Sequence, residues 1–83
     1  MKTIHKFEAP HNTFILRLHE GYKFLYFAEQ DGHLRVWFEV DDQKPYAEGV
    51  FKIVGTGWFL PNNMEHLATT RQGDYIWHLY EYL

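Results

Sequence analysis

The residues best suited to chemistry are six histidines (5, 11, 19, 33, 66 and 78), the pair Asp41-Asp42 and the element Gly55-Thr56-Gly57. No two histidines have the local spacing of a zinc site, and the chain has no cysteine. A metal would therefore need three or four ligands drawn together from distant segments. Neither a metal nor a cofactor is expected. Asp41-Asp42 falls at a strand end with no partner base, and no second carboxylate pair suggests acid–base hydrolysis. Serine is absent as well as cysteine, which removes both usual nucleophiles. The expectation is a protein that binds rather than catalyses.

Three groups of residues are candidates for binding. Gly55-Thr56-Gly57 could turn backbone N–H groups toward an anion, with the threonine hydroxyl beside them. A phosphate loop would continue with lysine and a helix start, whereas Trp58-Phe59-Leu60 follows here. A bend in the strand is the competing reading. Thr69, Arg71 and His78 share one face of the last predicted hairpin, where the guanidinium fork could grip a carboxylate or phosphate. Tyr26, Trp37 and Phe24, edged by Lys23 and Arg35, could form a stacking platform for bases or an anchor for a protein. Glu29 and Glu39 nearby would repel a phosphate backbone. The competing reading makes this face a second apolar layer covered by the Trp58 segment. The candidate site residues are thus Tyr26, Trp37, Thr56, Trp58, Arg71 and His78.

The elements that must position these residues read as strands. Met1 to Ala9 alternates loosely, with Ile4 and Phe7 at opposite parity, so it is apolar on both faces or carries a bulge. Thr13 to Glu20 alternates cleanly, Phe14, Leu16 and Leu18 on one face. Tyr22–Gln30 and His33–Asp41 flank Asp31-Gly32, a strong signal for a two-residue hairpin turn. That turn sets Gln30 opposite His33, Phe27 opposite Val36 and Leu25 opposite Phe38. Leu25, Phe27, Leu34, Val36, Phe38 and Val40 then form the core side. The other side sets Phe24 across from Glu39, Tyr26 from Trp37 and Ala28 from Arg35. Residues 42–49 read as an exposed polar loop, and Val50–Val54 as the next strand. A short helix near 62–67, capped by Asn62 or Asn63, competes with extended structure, which the β-branched residues favour. A turn at Gly73-Asp74 places Thr70 opposite Trp77 and Ala68 opposite Leu79. The sum is one all-β domain over residues 1–83: a small antiparallel curled sheet or barrel of six to seven strands.

Composition narrows the partners. A chain of 83 residues with 19% aromatic side chains carries sixteen rings, and each buried ring removes roughly 150–250 Å² from water. One small core cannot readily take them all, so several rings are expected on a surface that meets a partner, a ligand or another copy. The net charge of −3 is mild and the signs are mixed along the chain. Duplex DNA, which calls for a basic stripe, is therefore disfavoured. No run approaches the roughly 20 apolar residues of a membrane-spanning helix, and Met1-Lys2-Thr3-Ile4-His5-Lys6 lacks a signal-peptide core. An intracellular protein without a membrane partner is expected.

Three blocks carry a resemblance: Met1-Lys2-Thr3-Ile4-His5-Lys6-Phe7-Glu8-Ala9-Pro10, Phe51-Lys52-Ile53-Val54-Gly55-Thr56-Gly57 and Ile76-Trp77-His78-Leu79-Tyr80-Glu81. In this order, and spanning nearly the whole chain, they resemble a family of small phage and prophage proteins known as a domain of unknown function. That family commonly has His-Pro after Gly-Thr-Gly and tends toward Gly-Thr-Phe where this chain has Leu67-Ala68-Thr69-Thr70. A role carried by that His or Phe does not transfer. The resemblance implies phage origin, expression in the cytoplasm of a bacterial host and no established enzyme activity. It leads to the expectation of a homo-oligomeric binding protein that acts on a host factor, such as a component of a defence system. A sponge for a signalling nucleotide or other small anion, and a single-stranded nucleic-acid binder, are the alternatives.

Overall fold

The computed structural model describes residues 1–83 as seven strands: β1 Lys2–Glu8, β2 Thr13–His19, β3 Lys23–Gln30, β4 His33–Asp41, β5 Tyr46–Gly55, β6 Met64–Gln72 and β7 Tyr75–Tyr82. They form two antiparallel sheets, β1-β4-β3 and β2-β5-β7-β6. The sheets do not close into a barrel, and no helix forms. Residues 62–67 are extended from Met64 onward, and Asn63 takes a left-handed φ of 65°. Its carbonyl accepts from the Leu83 N–H at 2.9 Å instead of starting a helix.

Alternation decides which side chains meet. Phe14, Leu16 and Leu18 of β2, Leu34, Val36, Phe38 and Val40 of β4, Phe51 and Ile53 of β5 and Leu79 of β7 all point into one core. Phe38 and Phe51, from different sheets, are both fully buried with ring centroids 5.3 Å apart. Phe7, Tyr22 and Phe24 bring their rings against Phe38 at 6.4, 5.7 and 5.8 Å. β1 runs unbroken along β4, so its mixed parity is apolar on two faces and not a bulge. Phe7 packs inward, and Ile4 stands exposed on the outside.

The β3–β4 hairpin turns on Asp31-Gly32, both at positive φ (54° and 82°) as a type I′ turn requires. Gln30↔His33, Ala28↔Arg35, Phe27↔Val36 and Tyr26↔Trp37 follow as expected. A bulge between Phe24 and Tyr26 then overturns the rest of the register. Phe24 faces Phe38, Lys23 faces Glu39, and Leu25 turns outward with 37% of its surface exposed. The larger ring fills the space beside Phe38, and one unpaired residue is the cost of placing it there.

β5 begins at Tyr46, well inside the segment expected to be a loop, because it pairs with all of β2 from His19↔Tyr46 to Thr13↔Lys52. Gly49 lets it pass. A Cβ there would lie 2.7 Å from the Phe51 ring and 2.9 Å from the Tyr22 hydroxyl. At the end of the strand His19 is buried and satisfied: its Nδ1–H donates to the Lys44 carbonyl at 2.7 Å, and its ring stacks on Tyr46.

The β6–β7 hairpin keeps the expected pairs Thr70↔Trp77 and Ala68↔Leu79, with a second bulge at Leu67. β3 and β6 run beside each other along one side of the sandwich, tied where Gln72 Nε2 donates to the Gly32 carbonyl at 3.1 Å. Across the core, the Tyr22 hydroxyl donates a hydrogen bond to Glu81 Oε2. Burial first, then this bond and the Glu81 charge, push the Tyr22 pKa up to about 12.

Two outcomes test this packing. Phe24→Ala should destabilise by about 2 kcal/mol or more, whereas Leu25→Ala should cost less than about 1 kcal/mol; chemical denaturation of both variants decides the register. The raised Tyr22 pKa means its contribution is complete below pH 10 and declines as pH rises from 10 to 12, where the unfolded chain loses the proton first. Stability of the parent should therefore fall more steeply over that window than stability of Tyr22→Phe. Parallel curves would contradict the assignment.

Candidate functional site

The end of β5 and its following turn gather most of the candidate residues. Gly55 pairs with Trp77 and Val54 with His78, which carries Thr56 just past the sheet end and alongside β7. The turn is closed by the Trp58 N–H donating to the Gly55 carbonyl at 3.1 Å. That closure folds the Trp58 indole back over Gly55, where a Cβ would lie 2.8 Å from Cε2. Gly55-Thr56-Gly57 is thus a bend, and its first glycine is the seat of an aromatic ring.

Trp58 meets Trp77 edge to face, with centroids 5.8 Å apart at 79°. Tyr75 stacks on Trp77 at 5.8 Å, and His11 stacks on it at 4.5 Å. Trp77 is held by its Nε1–H, which donates to Gln72 Oε1 at 3.1 Å. A cleft of about 420 Å³ is lined by Gly55, Thr56, Trp58, Asp74, Tyr75, Ile76 and Trp77. A smaller one of about 180 Å³ lies beside it, walled by Val54, Trp58, Leu60, His78 and Tyr80 together with the turn. Trp58 and Thr56 belong to both. Phe59, at the tip, is 98% exposed.

The polar residues beside Thr56 form a chain. Thr56 Oγ1 lies 3.0 Å from His78 Nε2, Thr69 Oγ1 lies 2.9 Å from His78 Nδ1, and His66 Nε2 lies 2.8 Å from Thr69 Oγ1. A hydroxyl has one proton, so Thr69 donates to one imidazole and accepts from the other. The tautomers of the two rings are therefore set in step. A hydroxyl within reach of a histidine is also the geometry of an activated nucleophile. Here Thr69 fills the orienting position that a carboxylate occupies in the Ser-His-Asp arrangement. No group of three metal-ligating side chains occurs anywhere in the chain.

The remaining candidates lie elsewhere. Arg71 does not join Thr56 and His78: its Nε donates to the Gly73 carbonyl at 2.7 Å, at the hairpin turn. Tyr26 and Trp37 are neighbours on the outer face of the three-stranded sheet, centroids 5.6 Å apart, with Lys6 on the other side of Trp37. The Trp58 segment does not cover them; it packs on Trp77. The sequence reading placed His66, Tyr75 and Trp77 at no candidate site. Strict alternation from the Gly73-Asp74 turn puts His66 on the inner side with Ala68. The bulge at Leu67 turns it outward opposite Tyr80, beside Thr69 and His78. No local signal marks that bulge.

The Gly55 seat can be tested alone. Gly55→Ala should leave the fold intact, at a cost of no more than about 2 kcal/mol, because the added methyl can push the half-exposed indole off its seat toward solvent. The three tryptophan indole N–H resonances report the result: those of Trp58 and Trp77 should shift and that of Trp37 should not. An unchanged Trp58 resonance would mean that the ring does not rest on Gly55.

No helix in the structure is long and apolar enough to cross a membrane. Curated proteins and solved structures offer no match to the chain. One family model does match, over residues 1–83, and by that match the chain belongs to the family described as the domain of unknown function DUF7352.

Proposed function

We propose that the chain is a non-enzymatic binding protein whose partner is a protein, docked on the surface formed by Trp58, Phe59, Leu60, Tyr75 and Ile76. The observation that carries this reading is the exposure of large apolar side chains at one end of the four-stranded sheet. Phe59 is 98% exposed, Tyr75 67% and Trp58 53%, while Trp77 beneath them is fixed by Gln72. Aromatic side chains on a rigid base, next to clefts, are the usual anchors of a protein interface. The resemblance to small phage and prophage proteins supplies the setting: a bacterial host cell, a host factor as target and inhibition of a defence component as one outcome.

The small-anion sponge draws support from Thr56 and His78, which adjoin the smaller cleft. Against it, Arg71 is held at Gly73, and the larger cleft carries the Asp74 carboxylate. The Tyr26–Trp37 pair, with Lys6 and Arg35 nearby, is where a single strand of nucleic acid would stack; Glu8 and Glu39 lie on the same face. Neither alternative accounts for Phe59.

Capture from a bacterial host lysate tests the docking reading, with captured proteins identified and quantified by mass spectrometry. Trp58→Ala with Phe59→Ser should reduce the specific prey at least about tenfold, as loss of central aromatic anchors does. Trp37→Ala should leave it unchanged. Prey retained by a folded double variant would overturn this surface. Stabilisation by mononucleotides or cyclic nucleotides in a thermal-shift screen would favour the sponge instead.

A further inference from the structure

The larger cleft has a chemistry that its neighbour lacks. Three aromatic rings, Trp58, Tyr75 and Trp77, line it together with one carboxylate, Asp74, and no lysine or arginine. Trp58 and Trp77 stand nearly perpendicular at 79°, so two walls meet at a corner. Each wall is fixed in advance: Trp58 by its seat on Gly55, and Trp77 by the Gln72 hydrogen bond and the His11 stack. The carboxylate is uncommitted. The ion pairs of the chain join Met1 to Asp41 and Asp42 and Lys2 to Glu39, and the His33 Nδ1–Glu8 contact stands beside them; none includes Asp74. Arg71, the cation nearest in sequence, is occupied by the Gly73 carbonyl.

Ring faces attract cations through their quadrupole, and a carboxylate at the rim adds a charge of the right sign. An anionic or purely apolar guest would leave Asp74 to be desolvated without a partner. The chain already uses the same pairing elsewhere, where the Arg17 guanidinium sits 3.9 Å over the Tyr46 ring. There the cation is its own; at this cleft it has to come from outside.

We propose that this cleft is a cation pocket that receives a lysine or arginine side chain of the docked protein. The proposal rests on the docking reading above and names what the partner presents: a basic side chain on an exposed segment, laid in the cleft with its charge toward Asp74, against the exposed rings of Trp58 and Tyr75 with Trp77 behind them. Trp58 and Tyr75 grip the aliphatic stem, and Phe59 and Leu60 cover the flanking residues. The mild negative net charge of the chain favours approach of such a segment.

Short capped peptides test the pocket without the unknown partner. Gly-Arg-Gly and Gly-Lys-Gly are titrated into the ¹⁵N-labelled chain beside Gly-citrulline-Gly, the neutral counterpart of the arginine peptide. The indole resonances of Trp58 and Trp77 should shift saturably with the charged peptides, about tenfold more tightly than with citrulline. Asp74→Asn, on an exposed turn and harmless to folding, should weaken the charged peptides about threefold and leave citrulline unaffected. Trp37 should not respond. Equal affinities for arginine and citrulline, or no saturable shift in a folded protein, would overturn the cation pocket. Such a result would not touch the docking reading, because lysate capture measures that separately. Loss of capture specificity in the Trp58/Phe59 variant, in turn, does not depend on Asp74.

Discussion

The contact between Phe38 and Phe51 holds the two sheets together. Each ring sits at the middle of its own sheet's inner face, both are removed from water, and the other core rings are arranged around them. Burial of this aromatic mass is the largest favourable contribution available to a chain of this length with no cysteine. Other features follow from it. Gly49 lacks a side chain because Phe51 and Tyr22 occupy its space. The first bulge exists because Phe24 packs against Phe38 better than Leu25 would. Tyr22 reaches across to Glu81 because its ring is already anchored between Phe38 and Phe51.

The same constraint explains why so many rings remain outside. The molecule is a thin sandwich, 15 Å through its shortest axis, and its interior accepts only the inward-facing half of each strand. Phe14, Phe27, Phe38 and Phe51 fill it. Trp58, Trp77 and Tyr75 gather at one end of the four-stranded sheet, and Trp37 and Tyr26 lie on the outer face of the three-stranded one, where their polar groups stay within reach of a partner. Their arrangement is ordered by tertiary contacts. Trp77 has a hydrogen bond to Gln72, Trp58 has a glycine to rest on, and Tyr75 has Trp77 to stack against. A surface whose rings are fixed before binding loses less entropy when a partner arrives.

The two bulges redistribute chemistry as well as volume. The one at Leu67 brings Leu67 and Ala68 toward the core and sends His66 outward, which completes the His66–Thr69–His78–Thr56 chain. Without it His78 would have one hydroxyl on each side and nothing further along. The polar chain and the aromatic corner share Thr56, so the turn after β5 couples a hydrogen-bonding surface on one face to an aromatic one on the other.

Much of this was legible in the residues. Alternation in Thr13–His19 and His33–Asp41 identified the core side of both strands, and Asp31-Gly32 and Gly73-Asp74 set two hairpin registers near their turns. Those signals are local, because a turn type and a period of two act over a few residues. The excess of rings over available interior was also readable, since it follows from composition and length. What only the tertiary structure decided lies at longer range. Whether Phe24 or Leu25 turns inward depends on the space beside Phe38, and whether residues 46–49 form a strand depends on β2. Where Trp58 comes to rest depends on the empty side of Gly55. Each is a competition between packing partners far apart in sequence, and no single segment contains both competitors.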